Sequence, residues 1–152
     1  MIGGAQYPQD VSWARNIHFV RHLPPGEHSA FFASSRATLN ITHADMARMG
    51  WCPSGRLFEA AACETPILTD EWDGLGAFFA PERELLVVKN SQDVLAALER
   101  SDEELKRMAS RARARVLTEH TSKRRALQLL TILENVRTTT STNYVERLAA
   151  EA

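Results

Sequence analysis

The chain has 152 residues, 44% of them hydrophobic and 24% charged, with a formal net charge of −1. That length allows one domain with a substantial core. The near-neutral balance excludes a global basic field for nucleic acid or an anionic membrane, and no apolar run approaches the roughly 18 residues of a membrane span.

Residues 1–7 read as a short strand running into a turn at Pro8, without the basic end and long apolar stretch of a signal peptide. Residues 13–16 form a brief helical or irregular stretch. Residues 17–23 place Ile17, Phe19, Val20 and Leu23 in the alternation of a strand, which Pro24-Pro25-Gly26 breaks. Residues 27–35 give one or two helical turns with Phe31 and Phe32 inward, and residues 37–42 are a third strand. A loop over 42–53 carries His43, Asp45, Met46, Met49 and Trp51.

Residues 53–70 are the most informative part. Ser54 or Gly55 caps a short helix, Leu57, Phe58, Ala61 and Ala62 face a core, and Pro66 marks the stop before a buried strand, Ile67-Leu68-Thr69. A second loop spans 70–76, with Glu71, Trp72 and Asp73 at its tip. Residues 85–88 form a short strand. Ser91 is expected to cap a helix to about Arg100, with Val94, Leu95 and Leu98 on one face. Ser101 with Glu104 makes a capping box for a helix that turns Leu105, Met108, Ala109, Ala112 and Val116 inward. A last helix runs from Thr121 or Ser122 to about Val136. The Thr-rich stretch 138–142 reads as linker, and 143–152 as a frayed helical tail.

Strands alternating with helices predict an α/β domain, a Rossmann-like parallel sheet covered on both faces. Ligands of such sheets bind beyond the carboxyl ends of the strands, which selects the loops 42–54 and 70–76. At the first loop, backbone N–H groups at the helix start can meet a phosphate. Glu59, a turn inside, can accept from ribose hydroxyls. The same stretch also reads as an ordinary αβ unit in which Glu59 is solvated. Arg56 suits a diphosphate, or pairs with Glu59 or Asp70 to hold the loop. His43 is a phosphate donor or a polar loop residue, and Asp45 and Asp73 are ligands or turn caps. Trp51 and Trp72 stack on a base or sugar, or plug the core beneath the loops.

Other classes find less support. His18, His22 and His28 lack metal-ligand spacing, so no metal site is expected. Cys52 and Cys63 make no disulfide framework, and a reducing cytoplasm is the expected setting. Gly3-Gly4 lacks the spaced glycines of a dinucleotide fingerprint. The run Arg107, Arg111, Arg113, Arg115, Lys123, Arg124 and Arg125 is interleaved with Glu103, Glu104 and Glu119. It reads as a solvated helix face rather than a nucleic-acid surface. His120 is expected to anchor the final helix.

Three motifs and the order of elements resemble the carboxyl-terminal half of glycosyltransferases of the two-Rossmann (GT-B) type, in particular the CgeB-like, spore-maturation group. They are Pro53-Ser54-Gly55-Arg56-Leu57-Phe58-Glu59-Ala60-Ala61-Ala62-Cys63, then Pro66-Ile67-Leu68-Thr69-Asp70 with Trp72-Asp73-Gly74-Leu75 and Phe78-Phe79, and Leu39-Asn40-Ile41-Thr42 with Asp45-Met46. Glu119-His120-Thr121 with Arg125-Ala126 resembles the closing helix signature. The likeness runs from about Ile2 to Glu134.

The resemblance implies a nucleotide-sugar-binding domain over 1–136, followed by a linker and tail over 137–152. A nucleoside-diphosphate sugar would be the donor substrate, with no cofactor. Donor-binding positions are then Ser54, Gly55, Arg56, Glu59, His43 and Asp73; no catalytic residue is assigned. In the wider retaining group two glutamates separated by seven residues touch the donor. Glu59 matches the second, and Trp51 stands in place of the first. Glu64 stands where a glycine usually ends the helix, so the turn is built differently or needs no left-handed residue. The resemblance also implies an upstream acceptor-binding half and a central first strand. The chain alone is then expected to be inactive, completed by a missing amino-terminal domain or a partner chain, with a homo-oligomer as a further option. The alternative is a non-catalytic Rossmann-like module that docks through an open sheet edge.

Overall fold

A computed structural model describes the backbone at residues 2–3 and 10–150 and the side chains at residues 10–137. Two compact units follow one another along the chain, residues 1–113 and 114–152.

The first unit alternates strands and helices, as expected. Strand β1 (Ile2–Gly3) pairs with β2 (Phe19–Val20), and the rest of the stretch 1–7 lies outside the described residues. β2 is shorter than the alternation over 17–23 suggests. After a 3-10 turn at Pro25–Glu27 come α1 (His28–Ala33), β3 (Thr38–Asn40), α2 (Ala44–Met49), α3 (Gly55–Ala62) and β4 (Ile67–Thr69). Then follow α4 (Leu75–Phe78), β5 (Leu86–Val87), α5 (Ser91–Glu99) and α6 (Asp102–Glu119).

Among the described residues every strand pairing is parallel. β1–β2 form one sheet and β3–β4–β5 a second, with Leu39 opposite Leu68 and Leu68 opposite Leu86. All three β4 residues are buried, as its unbroken apolar run requires of a central parallel strand. Leu68, Leu86 and Val88 pack with Ala97 of α5 and with Leu105 and Met108 of α6. Full burial of each such large side chain stabilises by about 1.5–3 kcal/mol. α3 buries Leu57, Ala60 and Ala61 and packs on β3, β4 and α1.

Local chemistry sets the boundaries. Ser54 Oγ accepts from the Arg56 N–H at the start of α3. At its end Glu64 has φ +59°, so the turn does need a left-handed residue, and a glutamate fills the usual glycine slot. Thr65 Oγ1 donates to Phe32 O at 2.7 Å and fixes that turn to α1. The cap of α5 is Asn90, one residue before the expected Ser91: its Oδ1 accepts from the N–H groups of Gln92 and Asp93. The capping box at α6 forms as read. The Glu104 N–H donates to Ser101 Oγ, and Glu104 Oε2 accepts from the Ser101 N–H and hydroxyl. The loop over 42–53 is not all loop, since it holds α2, which buries none of its residues.

The second unit holds the end of α6 and α7 (Ser122–Ala150). Thr121 Oγ1 accepts from the Arg124 N–H, and Arg125 Nη2 lies 2.6 Å from His120 Nδ1. The backbone remains helical across residues 138–142, where the sequence reads as linker. Among the described residues no helix is long and apolar enough to cross a membrane.

Candidate functional site

Parallel pairing brings the carboxyl ends of β3 and β4 to one edge. There buried Asn40 donates through Nδ2 to Thr69 Oγ1 at 3.2 Å. Asp70 Oδ1 accepts from both the N–H and the hydroxyl of Thr42, each at 2.9 Å. Side chains thus carry the β3–β4 ladder one step beyond its last backbone pair.

The two loops that leave this edge interlock. The Trp51 N–H donates to Asp73 O at 2.6 Å. Gly50 has φ +66°, and a Cβ there would lie 2.7 Å from Asp73 Cβ. Gly74 has φ +96°, and its Cβ would lie 2.6 Å from Trp51 Cδ2. Only glycine allows both the left-handed backbone and the close approach. Trp51 has φ +53° with no such freedom, which costs roughly 1–2 kcal/mol.

A cleft of about 760 Å³ opens beside these loops, lined by Arg48, Glu71, Trp72, Asp73, Gly74 and Lys89 among others. Lys89 Nζ lies 3.5 Å from Glu71 Oε2, and Arg48 pairs with Asp45. Beneath the loops Trp72 meets Phe78, and Phe58 of α3 meets Phe78 and Phe79. Trp72 is 6% exposed, and its Nε1–H has no hydrogen-bond partner among the described residues. It is a core plug with a polar atom left over.

The residues expected to bind a ligand separate into groups. Asp73 lines the cleft; His43, Ser54, Gly55, Arg56 and Glu59 do not. His43 precedes α2, and its Nδ1 lies 3.4 Å from the Asp45 backbone N–H, as a cap. The start of α3 is open: a Cβ on Gly55 would meet nothing within 4 Å. Arg56 is exposed, and among the described residues neither Glu59 nor Asp70 pairs with its guanidinium. Glu59 instead meets His28 of α1, with Oε2 3.1 Å from Nδ1. On the helical wheel Glu59 lies about 100° from Phe58, whose ring contacts α4. The carboxylate remains half exposed.

Arg48 and Lys89 were not among the expected ligands. Lys89 had a legible signal, being the first charged residue past a buried strand at the ligand edge. Arg48 had none, because α2 has no apolar stripe to reveal it.

A family model described as glycosyl transferase-like matches residues 1–131. No curated protein and no solved structure matches the chain.

Proposed function

The chain belongs to the glycosyl transferase-like family, and from that premise we propose that its first unit binds a nucleoside-diphosphate sugar as the donor in glycosyl transfer. The observation that carries this reading is the family match over residues 1–131, spanning a parallel α/β unit with a cleft at its carboxyl edge. The wording of the motifs supports the CgeB-like group within that family.

In this reading the N–H groups at Ser54 and Gly55 and the exposed guanidinium of Arg56 meet the diphosphate. Charge develops there as the sugar departs, and fixed donors that meet it lower the barrier. Glu59, held by His28 through one oxygen, offers the other to the ribose hydroxyls. His43 and Asp73 border the approach from the two loops. The nucleotide sugar is a substrate, and no cofactor is invoked.

Transfer also needs an acceptor held in line, which this unit does not supply alone. An acceptor-binding half, on the same polypeptide or on a partner, completes it. The sheet supports that view. The Thr38 N–H donates to Pro66 O on the β4 side, so the N–H and C=O of Leu39 face away from β4. Among the described residues β3 is an edge strand there, with Leu39 half exposed and Ile41 exposed beyond it. The same edge favours a second reading, a non-catalytic module that docks a partner strand. That module would gain stability from its partner, with Glu59→Ala leaving the gain intact.

Titration with uridine and guanosine diphosphate sugars tests the donor reading. The backbone amide signals of Ser54, Gly55, Arg56 and Glu59 are expected to shift at millimolar ligand. Unmoved signals in a folded protein would overturn it.

A further inference from the structure

We propose that the indole of Trp51 is a stacking platform for the nucleobase of a nucleoside diphosphate. The proposal rests on the donor reading above and adds to it the part of the ligand that no residue there addresses.

Gly74 defines how the ring lies. The atoms nearest to a Cβ built on Gly74 are Trp51 Cδ2, Cε3 and Cε2, at 2.6, 2.8 and 3.0 Å. Two of them, Cδ2 and Cε2, form the fused bond inside the indole. Gly74 therefore sits under the ring face and not against its edge. Trp51 is nonetheless 66% exposed, so the opposite face looks into solvent. Gly74 and Asp73, the two residues that hold Trp51, both line the cleft of about 760 Å³. The ring is a flat apolar surface seated on residues that line that cleft.

Neither folding economy nor the core explains this placement. An exposed indole gains little from burial. The backbone beneath it is left-handed at a bulky residue, and such outliers cluster where a ligand is clamped. Two glycines give up their side chains to the interlock. An aromatic face open on one side suits a planar π-system, and every base has such a face.

The test uses the full chain with uridine diphosphate, and with pyrophosphate as the probe that lacks a base. Trp51→Gly suits the left-handed backbone and removes only the ring. It is expected to bind uridine diphosphate about tenfold to a hundredfold more weakly, with pyrophosphate unchanged. Trp51→Phe keeps a stacking face and is expected to stay within about threefold of the original chain. In the unsubstituted protein the uracil H5 and H6 resonances should move upfield on binding, through the indole ring current. That readout holds even if a variant fails to fold. Binding without the upfield shift, or equal binding by Trp51→Gly, overturns the stacking proposal and leaves the donor reading in place. A loss seen with a uridine diphosphate sugar but not with uridine diphosphate assigns the ring to the sugar and also overturns it. No binding of any nucleotide or nucleotide sugar overturns both.

Discussion

His28 Nδ1 stands 3.1 Å from Glu59 Oε2 and joins α1 to α3. The other ring nitrogen, Nε2, lies 3.1 Å from the Leu23 carbonyl oxygen. Both partners are acceptors, so the ring satisfies both only when it carries two protons. The pair is more than one-third exposed on each side. A double-mutant cycle of His28→Ala and Glu59→Ala should therefore give a coupling below about 1 kcal/mol. The effect on ligand is expected to be larger. Glu59→Ala should weaken nucleotide-sugar binding at least about tenfold, and His28→Ala should weaken it less. An affinity indifferent to Glu59→Ala would confine that carboxylate to holding two helices together.

The two glycines of the interlock should differ in their tolerance. Both have positive φ, so alanine is strained at either position. At Gly50 the added methyl meets Asp73 Cβ and the Asp73 backbone oxygen, which cannot move aside. At Gly74 it meets the exposed Trp51 ring, which can swing away. Gly50→Ala is expected to destabilise by about 1–3 kcal/mol, and Gly74→Ala by less but with displacement of the ring. Denaturant melts give the stabilities and the Trp51 indole N–H resonance reports the ring's displacement; a reversed order of stability would contradict the geometry.

Glu64 holds a left-handed backbone that disfavours a side chain, and among the described residues its carboxylate has no partner to lose. The left-handed penalty of about 1–2 kcal/mol exceeds the extra chain entropy that glycine loses, about 0.5–1 kcal/mol. Glu64→Gly should thus stabilise the first unit by roughly 0.5–1 kcal/mol. A melt showing destabilisation would point to a hidden role for the side chain.

Glu104 carries a pH signature. The Ser101 hydroxyl and then the Ser101 N–H, both donating to its carboxylate, hold it below the ordinary value of 4.5. A carboxylate lowered by folding adds stability above its unfolded value, and that stability is lost as pH falls through the lowered one. Backbone carbon shifts in the first turn of α6 should report this loss on the acid side of 4.5. Glu104→Gln should flatten that part of the titration. Identical profiles would mean that the box is held by Ser101 Oγ and the Glu104 N–H alone.

Much of the fold was legible because local and global signals agree. The apolar run of β4, the alanine-lined α3 and the Ser101–Glu104 box each have a physical signature that survives packing. Other features were not. α2 is capped by His43, an unusual cap, and buries nothing, so no periodicity marks it. Asn90 and Ser91 are both good caps, and only the geometry at Asn90 Oδ1 decides between them. The left-handed turn at Glu64 contradicts its residue type. At the site, the ligand edge followed from strand order. That Arg48 and Lys89 share one cleft with Asp73 depends on how two loops cross, which spacing does not encode.

The ties of Thr42 to Asp70 and of Trp51 to Asp73 fasten the intervening segment at its two ends. Residues 43–49 can therefore drift in identity while the strands behind them stay put. A lineage built this way can exchange one preference for another by rewriting a single cassette, without renegotiating its architecture.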